Sequence, residues 1–85
     1  MEHLTLNPLY AEAFKQQMLK QHWLISHQDA GQNHFVGWGY EICWKRDDSL
    51  VVLRYADKQG VASAFLELTP SILPEMLKLL KLLDE

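Results

Sequence analysis

The feature that most constrains the fold is a long alternating segment from His34 to Arg46. Every second position of the segment is apolar or aromatic, at Val36, Trp38, Tyr40, Ile42 and Trp44. Because successive side chains of a β-strand point to opposite faces, this period of two predicts a strand over 34–46 with one apolar face. A tight turn follows at Asp47-Asp48, and then another apolar run begins. The segment therefore predicts a β-hairpin.

The second strand of this hairpin is predicted over 50–56. Two further strands, over 23–28 and 61–68, extend the hairpin to a four-stranded antiparallel meander, with turn-rich sequence between the strands. A two-residue loop at Asp47-Asp48 sets the central register. It pairs Arg46 with Ser49, Trp44 with Val51, Cys43 with Val52, Ile42 with Leu53, Glu41 with Arg54 and Tyr40 with Tyr55. A loop over 57–60 pairs Tyr55 with Ala62, Leu53 with Ala64 and Val51 with Leu66.

Helical periodicity flanks the meander on both sides. Asn7-Pro8 has the pattern of an N-cap followed by proline at the first helical position, which predicts a helix over about 8–21. Near the end of the chain, Pro74 is too deep for a helix that begins at Pro70, because its ring would collide with the carbonyl four residues back. We therefore place the N-cap at Ser71 and the second helix over about 72–83. The predicted fold is an α+β two-layer sandwich, helix – four-stranded meander – helix, with both helices on the aromatic face.

Length and composition narrow the class of protein. The 85 residues suffice for a single domain over 1–85, and the net charge of -3 makes binding of nucleic acid by bulk charge unfavourable. A single cysteine excludes an internal disulfide and a cysteine-based zinc site. The first residues lack the basic and apolar regions of a signal peptide, and no apolar run reaches the about 20 residues of a membrane span. We expect a cytoplasmic protein with no membrane association.

The second face of the predicted sheet has an apolar centre. Cys43, Val52 and Phe65 fall in one row with Leu50 beside them, and Glu41 and Arg54 form a cross-strand pair at the edge. Since a half-solvated antiparallel sheet usually carries polar residues on its outer face, this pattern indicates a homodimer or partner interface. The predicted interface residues are Glu41, Cys43, Leu50, Val52, Arg54 and Phe65, framed by Lys45, Ser63 and Glu67. Alternatively, the first helix or the N-terminal residues cover this face and the protein has three layers.

The sequence gives little support for a catalytic site or a metal-binding site. His27, Asp29 and His34 flank one hairpin loop, but zinc uses three or four convergent ligands, so solvated turn residues are the better interpretation. Cys43 has no histidine beside it and is interpreted as a buried structural thiol. The sequence has no Ser-His-Asp arrangement, phosphate-binding glycine loop or metalloprotease helix motif. We therefore expect neither an enzyme nor a cofactor nor a metal site.

Two alternatives concern other surfaces. The aromatic row Trp38, Tyr40, Trp44 and Tyr55 could stack bases or a small ligand, although packing against the helices is favoured. Over residues 34–83 the order of elements is similar to that of the single-stranded-DNA-binding transcriptional coactivators, and no functional residue is carried over from that resemblance. The leucine-rich segment Leu73, Met76, Leu77, Leu80 and Leu83 could be a partner helix, with burial on the sheet favoured. The sequence thus favours a small interaction or regulatory module that self-associates over a ligand-binding or nucleic-acid-binding module.

Overall fold

The computed structural model describes residues 1–32, 38–58 and 60–83 of the chain. One antiparallel sheet in the order β1-β5-β4-β3-β2 carries two α-helices on one face, which confirms the predicted α+β class. The elements are β1 (Glu2–Leu6), α1 (Ala11–Lys20), β2 (Leu24–Gln32), β3 (Trp38–Arg46), β4 (Ser49–Lys58), β5 (Val61–Leu68) and α2 (Leu73–Leu83). Positions 34–37 of the predicted second strand lie outside the described residues.

The sheet contains one strand that the prediction lacks. β1 pairs antiparallel with β5, with Glu2 opposite Leu68 and Leu6 opposite Ala64. Leu6 is buried and Leu4 packs against the core, whereas His3 is exposed. The four predicted strands correspond to β2–β5, although β2 continues to Gln32, so its predicted end at residue 28 is wrong. The meander is extended by an edge strand that precedes the first helix.

The central hairpin has the predicted register. All six predicted pairs between β3 and β4 are present, from Tyr40 opposite Tyr55 to Arg46 opposite Ser49. Gly39 faces Ala56 in this ladder, and a Cβ at Gly39 would lie 2.7 Å from the Tyr55 carbonyl oxygen. Any side chain at this position would therefore push the two strands apart.

The predicted register between β4 and β5 is wrong by two residues. Leu53 lies opposite Leu66 rather than Ala64, and the other two predicted pairs shift likewise, to Tyr55 opposite Ala64 and Val51 opposite Leu68. The pairing continues to Lys58 opposite Val61, so the loop has two residues and not four, and Gly60 has a φ of 83° that suits glycine. Because the shift is even, each side chain keeps its face while its cross-strand neighbours change.

Both helices begin with a 3₁₀ turn. Asn7 caps the first turn as predicted, since its Oδ1 accepts a hydrogen bond from the Leu9 amide at 3.0 Å. The predicted Ser71 cap is wrong, because a 3₁₀ turn over Pro70–Ile72 comes first and α2 starts only at Leu73. This late start leaves Pro74 in the first turn of α2, where amides have no helical partner in any case.

The core lies between the helices and the inner face of the sheet. Its buried side chains are Leu6, Phe14, Met18, Trp23, Ile42, Trp44, Val51, Leu53, Ala64, Leu66, Leu68, Ile72, Met76 and Leu79. Both helices contribute to this one cluster, so the prediction that they share the aromatic face is confirmed and the three-layer alternative is wrong. Leu73, Leu80 and Leu83 pack against the same cluster. Burial rather than partner binding therefore accounts for most of the leucine-rich helix.

The C-terminus of α1 has a hydrogen-bonding pattern that normally calls for glycine. The His22 amide donates to the Leu19 carbonyl at 3.2 Å and the Trp23 amide to the Met18 carbonyl at 3.1 Å, which is a Schellman motif. His22 occupies its left-handed position with a φ of 67°, a conformation that costs a residue with a Cβ about 1–2 kcal/mol.

We therefore expect His22→Gly to raise the free energy of unfolding by about 0.5–1 kcal/mol, after the greater chain entropy of glycine is subtracted. Urea denaturation followed by circular dichroism measures the change. Gln16→Gly, at an exposed position within α1, is the control and should lower the stability by about 1 kcal/mol. If His22→Gly is no more stable than the parent, the left-handed position imposes no net cost.

Candidate interaction surface

The six predicted interface residues all project from the sheet face opposite the helices, which we call the outer face. They lie on the adjacent strands β3, β4 and β5, and no helix of the described chain packs over them. Phe65 is 52% exposed and Leu50 is 39% exposed, whereas Cys43, Val52 and Glu41 are half-buried among their strand neighbours. The outer face therefore combines one protruding aromatic ring with lower-lying apolar side chains.

The arrangement of these residues differs from the prediction. Val52 lies between Cys43 and Glu67, so the predicted row of Cys43, Val52 and Phe65 is wrong. Phe65 instead lies opposite Arg54, and Thr5 of β1 flanks its other side. The cause is the shorter β4–β5 loop. Phe65 remains a diagonal neighbour of Val52, within about 7–8 Å for such positions in antiparallel sheets.

A charged strip crosses the outer face between Val52 and Phe65. Arg54 Nε donates to Glu41 Oε2 at 2.9 Å, which confirms the predicted cross-strand pair, and Arg54 Nη1 also contacts Glu67 Oε1. The second contact was not predicted, because the longer loop would place Glu67 opposite Leu50. Arg54 is more than half exposed, so these ion pairs stabilise the fold by at most about 1 kcal/mol each. Their main effect is to hold Arg54 extended between the two carboxylates.

The charged strip, formed by Glu41, Arg54 and Glu67, divides the apolar part of the outer face in two. On one side lies an apolar patch of Cys43, Val52 and Leu50, and on the other lies Phe65, with Val61 farther along β5 at the strand end. Beside Phe65 a shallow depression of about 370 Å³ is bordered by β1 and β5. The outer face thus presents a knob and a separate low apolar surface.

The Cys43 thiol is half-buried, whereas the sequence predicts a buried structural thiol. Desolvation raises its pKa above the usual value; the neighbouring Glu41 carboxylate raises it further, and Arg54 partly opposes the shift. A raised pKa keeps the thiol protonated at neutral pH, and the protonated form is a poor nucleophile. Cys43 therefore contributes apolar surface rather than reactivity.

The described side chains of the aromatic row, Tyr40, Trp44 and Tyr55, lie on the helix-covered face, as predicted. Trp44 is buried and meets Phe14 of α1 edge to face, with ring centroids 5.6 Å apart. Tyr40 stacks on Tyr55 at 5.0 Å and carries the Lys15 ammonium 4.7 Å from its ring centre. Burial, with smaller effects from Glu12 and Tyr55, raises the pKa of Tyr40 to about 12. The side chain of Trp38 lies outside the described part of the chain, and the other rings pack in or against the core.

The residues considered as metal ligands are not brought together in the described chain. His27 and Asp29 project from β2 at exposed positions opposite Cys43 and Glu41, and His34 lies outside the described residues. Within residues 1–32, 38–58 and 60–83, no three histidine, cysteine or acidic side chains are placed to share a metal ion.

Across the described ranges, α1, α2 and the short turns are all too short or too polar to span a bilayer. No protein-family model, no curated protein and no solved structure matches this chain.

Proposed function

We propose that this protein is a small non-enzymatic interaction or regulatory module that self-associates through its outer face. The observation that carries the proposal is the exposure of Phe65 at 52% on a sheet face from which both helices are absent. Phe65 adds nothing to the core, and a large ring held in water is unfavourable for a monomer. Aromatic side chains surrounded by polar groups are typical of the centre of protein interfaces.

The size of the outer face supports a second copy as the partner. Five strands about 4.8 Å apart, with about eight residues of about 3.3 Å each, cover roughly 600 Å² in projection. The relief of the side chains makes the accessible area larger than this footprint. A stable interface of standard size uses about 800 Å² per partner, so the outer face alone supplies an area of the right order.

Burial of Phe65 and the apolar patch would drive association, while the charged strip would fix the orientation. Because opposite charges alternate along the strip, only some alignments of two copies bring unlike charges together. We place this activity in the cytoplasm, where a protein with a single free thiol has no need of an oxidising compartment.

Replacing Phe65 by aspartate is expected to weaken self-association at least tenfold without changing the circular dichroism spectrum. The reason is that the substitution buries a carboxylate where the ring was buried, at a site outside the core. Light scattering after size exclusion, over a range of concentrations, measures the mass against the 9.9 kDa of one chain.

Val61→Asp is the matched control, because Val61 is 72% exposed on the same face of β5 but lies at the strand end. It should leave the dimer nearly unchanged. A parent protein that stays monomeric at all concentrations would contradict self-association, and loss of folding in Phe65→Asp would contradict the assignment of Phe65 to the surface.

The same samples discriminate the alternative, binding of a small ligand or single-stranded nucleic acid over the sheet. Trp23 and Trp44 are buried, so the anisotropy of a labelled oligonucleotide is a better reporter than intrinsic fluorescence. Nucleic-acid binding weakens steeply with salt, whereas apolar association of two chains of charge -3 should be unaffected or strengthened. An oligonucleotide that binds a monomeric parent would favour the alternative.

A further inference from the structure

We infer that two copies meet around a two-fold axis running along the charged strip, so that Phe65 of each copy packs on the apolar patch of the other. This inference rests on the proposed self-association and specifies its geometry. It follows from the observed register, in which Glu41, Arg54 and Glu67 separate Phe65 from its diagonal neighbour Val52.

A face-to-face homodimer has its two-fold axis in the plane between the sheets, and each residue meets the position that mirrors it across that axis. An axis along β4 would place Arg54 on its own counterpart and Phe65 over Glu41. An axis across the strands, between the Val52 and Arg54 positions, would place Phe65 over Glu67. Both arrangements bury a carboxylate against an aromatic ring. The carboxylate then loses its hydration and gains no hydrogen bond or opposite charge in return, which is unfavourable.

A diagonal axis from Glu41 to Glu67 avoids this penalty. Phe65 and Val52 lie on opposite sides of that line, and a perpendicular to the line passes through both of them. Rotation about the line brings Phe65 of one copy over the hollow between Val52, Cys43 and Leu50 of the other. The half-buried Cys43 and Val52 leave room for a ring that protrudes from its own sheet, so the knob and the hollow on one face are complementary.

The charges are only partly compensated about this axis. Glu41 of one copy approaches Glu41 of the other near one end of the line, and Glu67 does so near the opposite end. Each carboxylate already contacts Arg54 of its own chain, and Arg54 of the facing chain comes within reach of Glu41. Two arginines and four carboxylates then form one network with an excess of one negative charge per copy, and Asp29, which lies opposite Glu41, adds a further carboxylate at that end. This excess opposes association, so the burial of Phe65 on the apolar patch must outweigh it.

The test combines two variants that are each defective alone. Phe65→Glu and Val52→Arg should each reduce the affinity of the dimer at least tenfold, because each places a charge in both symmetry-related contacts. Mixed in equal amounts they should recover a dimer. In the mixed pair the new carboxylate meets the new guanidinium, and the other Phe65–Val52 contact is unchanged. Light scattering on the separate and mixed samples, with circular dichroism as the folding control, gives the result.

Leu50→Lys, at a more exposed position of the same patch, replaces Val52→Arg if the latter does not fold. Val61→Arg mixed with Phe65→Glu is the control for unspecific charge attraction and should give no recovery. A mixture of Phe65→Glu with the patch variant that remains monomeric, or a patch variant that dimerises like the parent, overturns the diagonal axis but leaves self-association standing. A monomeric parent overturns both proposals.

Discussion

Replacing Phe14 by alanine is expected to lower the free energy of unfolding by about 3–5 kcal/mol. Phe14 is fully buried in α1, and its ring meets Trp44 edge to face at 5.6 Å on the central part of the sheet. Removal of the ring leaves a cavity between two layers that are each held in place by other contacts, so the gap cannot close. A domain of 85 residues has a total stability of roughly 4–13 kcal/mol, and the variant would therefore approach the limit of folding.

The matched control is the same substitution on the opposite face of the sheet. Phe65→Ala removes an equal ring from a position that is 52% exposed, so it should cost less than about 1 kcal/mol in the monomer. Urea denaturation at a concentration where both proteins are monomeric gives the comparison. Equal losses for Phe14→Ala and Phe65→Ala would contradict the assignment of the two faces.

Replacing Arg46 by alanine is expected to cost about 2–3 kcal/mol, because one guanidinium joins three parts of the fold. It donates to the Gln21 carbonyl at 3.1 Å and to the Glu75 carboxylate at 2.5 Å, and it lies 4.3 Å above the Trp23 ring. The end of β3 is thereby attached to the last turn of α1 and the first turn of α2. Its side chain is only 28% exposed, so solvent screens these contacts incompletely.

Two further substitutions separate charge from geometry at this position. Lys45→Ala removes the neighbouring exposed cation and should change the stability by no more than about 0.5 kcal/mol. Arg46→Lys keeps the charge but lacks the planar fork, and should fall between the parent and Arg46→Ala. Thermal unfolding of the three variants gives their stabilities. If Arg46→Ala loses no more stability than Lys45→Ala, the guanidinium does not join the layers.

The sequence predicts the central hairpin well because a short turn limits the possible registers. Asp47-Asp48 leaves room only for a two-residue loop, and a slip of one residue would turn the apolar row outward. The pairing of Trp44 with Val51 and the inner position of Ile42 follow from this constraint alone. Local turn chemistry and long-range burial agree at this point, and the structure confirms both.

The next hairpin shows what periodicity cannot decide. The sequence Asp57-Lys58-Gln59-Gly60 allows a four-residue or a two-residue loop, and the two registers differ by an even number of residues. Both keep every side chain on the same face, so burial does not distinguish them. The membership of the outer face was therefore predictable, whereas the contact of Glu67 with Arg54 was not.

The strand β1, which the prediction lacks, has an alternating sequence pattern, but the pattern is short. Leu4 and Leu6 alternate with His3 and Thr5, which is a strand pattern over only five residues. Its partner β5 is more than fifty residues away, so no adjacent turn indicates the pairing. The prediction also missed the 3₁₀ turn before α2. The Thr69 hydroxyl oxygen accepts a hydrogen bond from the Leu50 amide at 2.9 Å, so this side chain does not cap the turn that follows it.

The position of β1 also determines the order in which the sheet can be completed. A ribosome releases β1 before the other strands of this sheet, whereas its partner β5 leaves the exit tunnel only after β2, β3 and β4. The β2–β5 hairpins close short loops and can form early, whereas the β1–β5 pairing must overcome the entropy of closing almost the whole chain. We therefore expect β1 to be the last strand to join the sheet, and the edge of β5 to stay exposed until β1 pairs with it.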